Sequence, residues 1–154
     1  IIVPHEINPN EISLIKSKLE NIGFSSTLYS NIDQKSEPGI IIINKVGILA
    51  DLYKYSDLAY IGAGFSTGVH SVIEPAVYYN IVCYGPNYRI VDMAVDLVNK
   101  NISYIIKNKN DFVKVISLLN NKQKLEHNKL KMKKFINNQK LATENIVEAI
   151  YSHV

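Results

Sequence analysis

The chain has 154 residues, 47% of them hydrophobic, one cysteine and a formal charge of +3. This length and apolar fraction suit a single domain, residues 1–154, whose core buries roughly two-thirds of the unfolded surface without disulfides. No run reaches the about 18 to 20 apolar residues a membrane span needs, no signal-peptide pattern is visible, and the basic residues are not interleaved with aromatics as a nucleic-acid surface requires.

The chain opens Ile1-Ile2-Val3-Pro4 with no methionine, as if entered partway through a strand, and is expected to be a piece of a longer protein. Asn8 or Asn10 can then cap a helix carrying Ile12, Ile15, Leu19 and Ile22 at helical spacing, with Gly23 as its stop. Ser26 to Tyr29 reads as a short strand and Ser30 to Pro38 as a polar loop. The unbroken apolar run Ile40 to Ile43 has the composition of a central buried strand. Asn44-Lys45-Val46-Gly47 turns into a helix over Ile48 to Tyr55, followed by a strand at Leu58 to Ile61. Beyond it the pattern predicts a helix to about Tyr79, a strand at Ile81 to Cys83, a helix over Val91 to Lys100 and a strand at Ser103 to Ile106. Helices over Lys109 to Asn120, Lys122 to Asn137 and Lys140 to His153 complete the chain. Alternation of this kind predicts an α/β fold: a Rossmann-like open parallel sheet of about six strands with helices on both faces.

The densest chemical information lies in Ala59-Tyr60-Ile61-Gly62-Ala63-Gly64-Phe65-Ser66-Thr67-Gly68-Val69-His70-Ser71-Val72-Ile73-Glu74-Pro75-Ala76. A strand empties into three glycines with two hydroxyls, and the chain then turns helical, with His70 and Glu74 expected four residues apart on one helix face. Helix N-termini carry partial positive charge, glycines let an anion approach the backbone, and a carboxylate one turn on can accept hydrogen bonds from ribose hydroxyls. Gly64, Ser66, Gly68, His70 and Glu74 are therefore candidate ligand contacts. The competing readings are a turn merely eased by Gly62, Gly64 and Gly68, and an ion pair between His70 and Glu74. A second loop, Tyr84-Gly85-Pro86-Asn87-Tyr88, should open on the same sheet edge. Ligands bind at that edge in open α/β sheets.

Other residues point away from chemistry. Cys83, inside an apolar strand, reads as a small buried hydrophobe rather than a catalytic thiol, in a reducing setting. His5, His127 and His153 have no companions at metal-ligand spacing, so no metal is expected, and no nucleophile with a base is visible. Lys122, Lys124, Lys129, Lys131, Lys133, Lys134 and Lys140 crowd the C-terminal third with Glu126 the one acid among them. That run is either a solvated helix face or a surface drawn to an anionic membrane.

Five segments taken together resemble a known family: Pro4-His5; Val46-Gly47-Ile48-Leu49-Ala50-Asp51-Leu52-Tyr53; Ser56-Asp57-Leu58-Ala59-Tyr60-Ile61-Gly62; Gly68-Val69-His70-Ser71-Val72-Ile73-Glu74-Pro75-Ala76; and Tyr84-Gly85-Pro86-Asn87. Their order is similar to that of the C-terminal domain of 3-deoxy-D-manno-octulosonic acid (Kdo) transferases across essentially the whole chain. The resemblance implies the C-terminal half of a two-domain GT-B glycosyltransferase of lipopolysaccharide biosynthesis. Such an enzyme moves Kdo from a CMP-Kdo donor to a lipid A precursor at the cytoplasmic face of the bacterial inner membrane. It implies no cofactor, and CMP contacts at Pro4, His5, Gly47, Ile48, Leu49, Ser71, Val72, Ile73 and Glu74. The catalytic base, a glutamate, would belong to the N-terminal acceptor domain, so the isolated 154 residues would be a soluble, inactive fragment whose last helix packs on that domain.

This chain departs from the family's usual pattern at three places. Pro4-His5-Glu6-Ile7 stands where Pro-Arg-His-Pro is common, Gly47-Ile48-Leu49 where Gly-Glu-Leu is usual, and His70-Ser71 where His-Asn is usual. The readings that compete with a Kdo transferase are another GT-B glycosyltransferase, a UDP-sugar epimerase domain, and a non-catalytic doubly wound binding module.

Overall fold

A computed structural model describes residues 1–33, 39–139 and 142–152, with the backbone alone for 142–145. Residues 34–38 of the predicted Ser30–Pro38 loop, together with Lys140, Leu141, His153 and Val154 at the ends of the last predicted helix, lie outside the described residues. The chain divides into two compact units, Ile1–Leu52 and Tyr53–Val154.

In the first unit, Asn8 caps α1 (Pro9–Asn21): its side chain accepts from the Asn10 N–H, and Pro9 occupies the first turn, where its missing N–H costs nothing. The helix ends at Gly23, whose φ is +84°. β1 (Ser26–Leu28) pairs in parallel with β2 (Ile40–Ile42), with Thr27 opposite Ile41. On its other side, among the described residues, β2 meets only Ile2, which donates to Ile41 O at 2.8 Å and accepts from the Ile43 N–H at 2.9 Å. The predicted first strand is thus a single bridge. Pro4, two residues on, would be the next donor toward β2 and has no N–H, so the ladder stops. Ile42 and Ile43 are fully buried, as expected of the middle element of this unit. A four-residue α2 (Leu49–Leu52) closes it.

The second unit begins with a 3-10 turn, Tyr53–Tyr55, and is built on a three-stranded parallel sheet ordered β3 (Leu58–Ile61), β4 (Ile81–Tyr84), β5 (Ser103–Ile105). Leu58 stands opposite Ile81, and Val82 opposite Ser103. All four β4 residues are buried, the signature of a parallel strand covered on both faces. Val82 and Tyr84 enter one core cluster with Ala76 of α3 (Ile73–Val77), Ala94 and Leu97 of α4 (Asp92–Asn99), and Met132 and Phe135 of α6 (Lys122–Asn137). Ile81 and Cys83 point the other way, to Val115 of α5 (Lys109–Ser117) and Ile106. The period-2 alternation of one strand therefore feeds two helix layers. α5 runs on into a 3-10 turn, Leu118–Asn120, and α7 (Ala142–Tyr151) leaves Ile146, Ile150 and Tyr151 exposed.

The α/β class with parallel strands and covering helices is borne out. The strand count is lower than expected: five strands in two hydrogen-bonded sheets among the described residues, plus the Ile2 bridge. No helix of the described residues is long and apolar enough to cross a membrane.

Candidate functional site

At the carboxyl edge of the second unit's sheet, the loops after β3 and β4 are joined backbone to backbone. Asn87 N–H donates to Gly64 O at 2.8 Å, Val69 N–H donates to Asn87 O at 3.0 Å, and Asn87 Nδ2 donates to Ser66 O at 3.1 Å. Gly64 is buried here, and a Cβ on it would stand 2.5 Å from Gly85 N; one on Gly85 would stand 2.5 Å from Gly64 C and O. Gly68 takes φ +106° and lies under Ile90. In this fold the two glycines bring the loops together. Ser66 turns its hydroxyl to Ala63 O at 3.3 Å and is exposed.

Past this knot the chain has no regular structure through Val69, His70 and Ser71, and α3 starts only at Ile73 after Val72. The expected pairing of His70 and Glu74 on one helix face is thereby corrected, because His70 is not helical. Two constraints delay the helix. Val69 is held by Asn87, and Pro75 must fall in the first turn, since an earlier start would set its ring against the carbonyl of a helical residue four positions back. That second constraint was readable in the sequence.

The delay puts Glu74 in the first turn of α3, next to the Ile73 and Glu74 N–H groups that open the helix without intrahelical partners. Val72 is buried, Glu74 is half-buried, and His70, Ser71 and Ile73 are exposed. Across from Glu74 stands Tyr53, a neighbour the sequence reading missed. Burial raises the Tyr53 phenol above its ordinary pKa, and the Glu74 charge raises it further. Asn80 fixes this corner, donating from Nδ2 to Tyr53 O at 2.9 Å. The arrangement offers an anion two backbone donors and a hydroxyl-bearing ligand one carboxylate.

The first unit places the remaining candidates after its own strand ends. Pro4, half-buried, and His5, exposed, follow the Ile2 bridge; Gly47, at φ +86°, precedes Ile48 and Leu49, both half-buried, where Ile48 O accepts from the Leu52 N–H at 3.2 Å. At the carboxyl ends of β1 and β2 the same unit has a recess of about 530 Å³ lined by Tyr29, Ser30, Ile32, Asn44 and Lys45. Asn44 shapes it by accepting from Ser30 N–H at 3.0 Å and donating to Ser30 Oγ at 2.8 Å. Its one sequence signal was the polar pair Asn44-Lys45 directly after the Ile40–Ile43 run. Among the described residues no three His, Cys, Asp or Glu side chains gather as a metal site.

Parallel strands whose carboxyl-end loops lead into helix N-termini define the class: a Rossmann-like α/β fold of the kind that holds nucleotides at that edge. The particular similarity is to Kdo transferases. The chain is 28% identical over 129 residues to 3-deoxy-D-manno-octulosonic acid transferase of Aquifex aeolicus, covering 82% of this chain and 35% of that protein. With the transferase of Chlamydia muridarum it shares 27% over 139 residues, 88% of this chain and 32% of that protein. A bifunctional glycosyltransferase/methyltransferase of Fusobacterium nucleatum is 27% identical over 153 residues, 96% of this chain and 23% of that protein. The chain thus spans roughly a quarter to a third of the length of these relatives.

Its fold matches the crystal structure of the C-terminal CMP-Kdo binding domain of WaaA from Acinetobacter baumannii with a TM-score of 0.71 at 18% identity, covering 84% of this chain and 69% of that one. No protein-family model matches. The resemblance carried by the five motif segments therefore holds along the chain in sequence and in fold.

Proposed function

We propose that these residues are the donor-binding part of a longer, two-domain GT-B glycosyltransferase that moves Kdo from CMP-Kdo to a lipid A precursor in lipopolysaccharide biosynthesis. The observation that carries this reading is the similarity to proteins named Kdo transferases over most of the chain, joined to the fold of the WaaA domain. The work would take place at the cytoplasmic face of the inner membrane. The lipid acceptor and the catalytic base would sit on an N-terminal domain, and the exposed apolar face of α7 would meet that domain.

In the second unit the proposed donor contacts are His70 and Ser71, the backbone around Val72, Ile73 and Glu74, and the Glu74 carboxylate toward the ribose. Ser66 is the exposed hydroxyl of the glycine loop, and Gly64 and Gly68 act by shaping that loop. In the first unit Pro4, His5, Gly47, Ile48 and Leu49 are proposed as nucleotide contacts in their own right. Helix N-termini would favour the phosphate charge that grows as the C–O bond to CMP breaks and the acceptor oxygen bonds to the anomeric carbon.

Titration with CMP, followed by backbone amide shifts, tests the reading. Shifts should concentrate at Ser71 to Glu74, and Glu74→Ala should weaken CMP roughly ten- to hundredfold, the loss expected for hydrogen bonds to a charged group. Unchanged CMP affinity in that variant would remove Glu74 from the site. The Fusobacterium relative, a glycosyltransferase named without its sugar, favours one second reading: a GT-B segment taking a different nucleotide sugar. Stronger thermal stabilisation by UDP than by CMP would select it.

A further inference from the structure

A second recess of the Tyr53–Val154 unit lies on α6 and is used by nothing proposed above. It has a volume of about 490 Å³ and is lined by Tyr104, Leu118, Gln123, Lys124, His127, Asn128 and Lys131. Its floor is built and fixed: Tyr104 OH donates to Asn128 Oδ1 at 2.6 Å, and Asn128 Nδ2 donates to Lys124 O at 2.8 Å. Asn128 is buried and spends both ends of its amide on these bonds, so the polar side chains left for a ligand are Gln123 and the three cationic ones.

Lys124, His127 and Lys131 stand at helical spacing on one side of α6, and Lys134 continues the row by the same period. Lys129, on another side, is paired with Asp57 at 2.7 Å, whereas among the described residues no carboxylate forms an ion pair with Lys124, His127 or Lys131. Positive charge gathered in one recess without counter-charge is a site for anions. Its surroundings are not purely polar: Leu118 lines it half-buried, and the next residue, Leu119, in the 3-10 turn packed on α6, is 37% exposed. Cations beside partly exposed leucines form the composition of a surface that lies on a bilayer interface.

We infer that the α6 recess docks the chain on an anionic phospholipid surface, taking a headgroup phosphate between Lys124, His127 and Lys131 with Leu118 and Leu119 at the acyl boundary. This deepens the membrane-face part of the proposed function and is independent of the CMP site. The test is co-sedimentation of the chain with vesicles of equal phosphatidylglycerol and phosphatidylcholine, beside vesicles of phosphatidylcholine alone. The chain should partition onto the first and not the second. The double variant K124A/K131A should lower partitioning about 30-fold, from about fivefold per lysine, while K16A/K18A, which removes the same charge from α1, should stay within about threefold of the parent.

Equal losses in the two double variants would overturn the proposal, as would undiminished binding in K124A/K131A or equal binding to both vesicle types. So would saturation of the His127 ring shifts by inorganic phosphate without any vesicle binding, which would make the recess a site for soluble anions. CMP-induced amide shifts at Ser71 to Glu74 should be the same in K124A/K131A as in the parent. Failure here and failure of the donor reading are thus read separately.

Discussion

Gly64 and Gly85 meet with no room for a methyl group on either. The nearest atoms to a Cβ on Gly64 are the backbone N and Cα of Gly85, at 2.5 and 2.7 Å, and backbone cannot rotate aside as a side-chain tip can. Alanine at Gly64 must therefore push the loops after β3 and β4 apart and strain the bonds from Asn87 N–H to Gly64 O and from Val69 N–H to Asn87 O. A loss of about 1–3 kcal/mol in urea unfolding is expected, the usual cost of overpacking. Gly62 has nothing within 4 Å of its Cβ position, so Gly62→Ala should stay within about 0.5 kcal/mol of the parent. Equal effects at the two positions would show that the loop contact does not hold this edge together. The sequence displayed three glycines in seven residues but not which of them face another backbone, because Gly85 approaches from another strand's loop.

At the scale of elements, what was legible followed local chemistry. The bounds of β3 and α6 agree with those expected, α6 being capped in the structure by Asn121, and α1 starts where Asn8 and Pro9 require. What was not legible depends on partners distant in sequence: the Ile2 strand shrinks to a bridge, and α3 starts late in part because Val69 is claimed by Asn87. Tyr84 shows the same limit. It reads as the first residue of a glycine-proline loop, yet it is the buried last residue of β4, donating its hydroxyl to Ala94 O of α4 at 2.8 Å and lying 2.7 Å from Ser103 Oγ of β5. One hydroxyl ties three elements. Tyr84→Phe should cost about 1–3 kcal/mol, because it leaves a buried carbonyl and a buried serine hydroxyl short of a partner. A double-mutant cycle with Ser103→Ala should give a coupling above about 0.5 kcal/mol; strict additivity would mean the tie contributes nothing.

At the scale of the molecule, the same buried sheet makes stability sensitive to alkali. Burial lifts the Cys83 thiol from 9.0 to about 12. It also lifts the Tyr84 phenol from 10.0 to about 12, against a lowering by the Ser103 hydrogen bond, and raises Tyr104 and Tyr60. Each group then holds its proton in the folded chain at a pH where the unfolded chain has released it. The folded state binds more protons, so stability falls as pH rises. The contribution is intact below about pH 9 and is lost progressively between the ordinary values and about 12, at up to about 1.4 kcal/mol per pH unit for each group. The urea midpoint should therefore be flat near pH 8 and drop steeply above pH 9. Cys83→Ala separates the causes: the small cavity it leaves lowers stability at every pH, whereas loss of the thiol removes the slope that begins near 9 and leaves the tyrosine slope that begins near 10. The slope is the diagnostic quantity. A Cys83→Ala curve parallel to the parent's between pH 9 and 10 would mean that the thiol ionises as easily in the folded chain as in the unfolded one, and that β4 does not exclude water there.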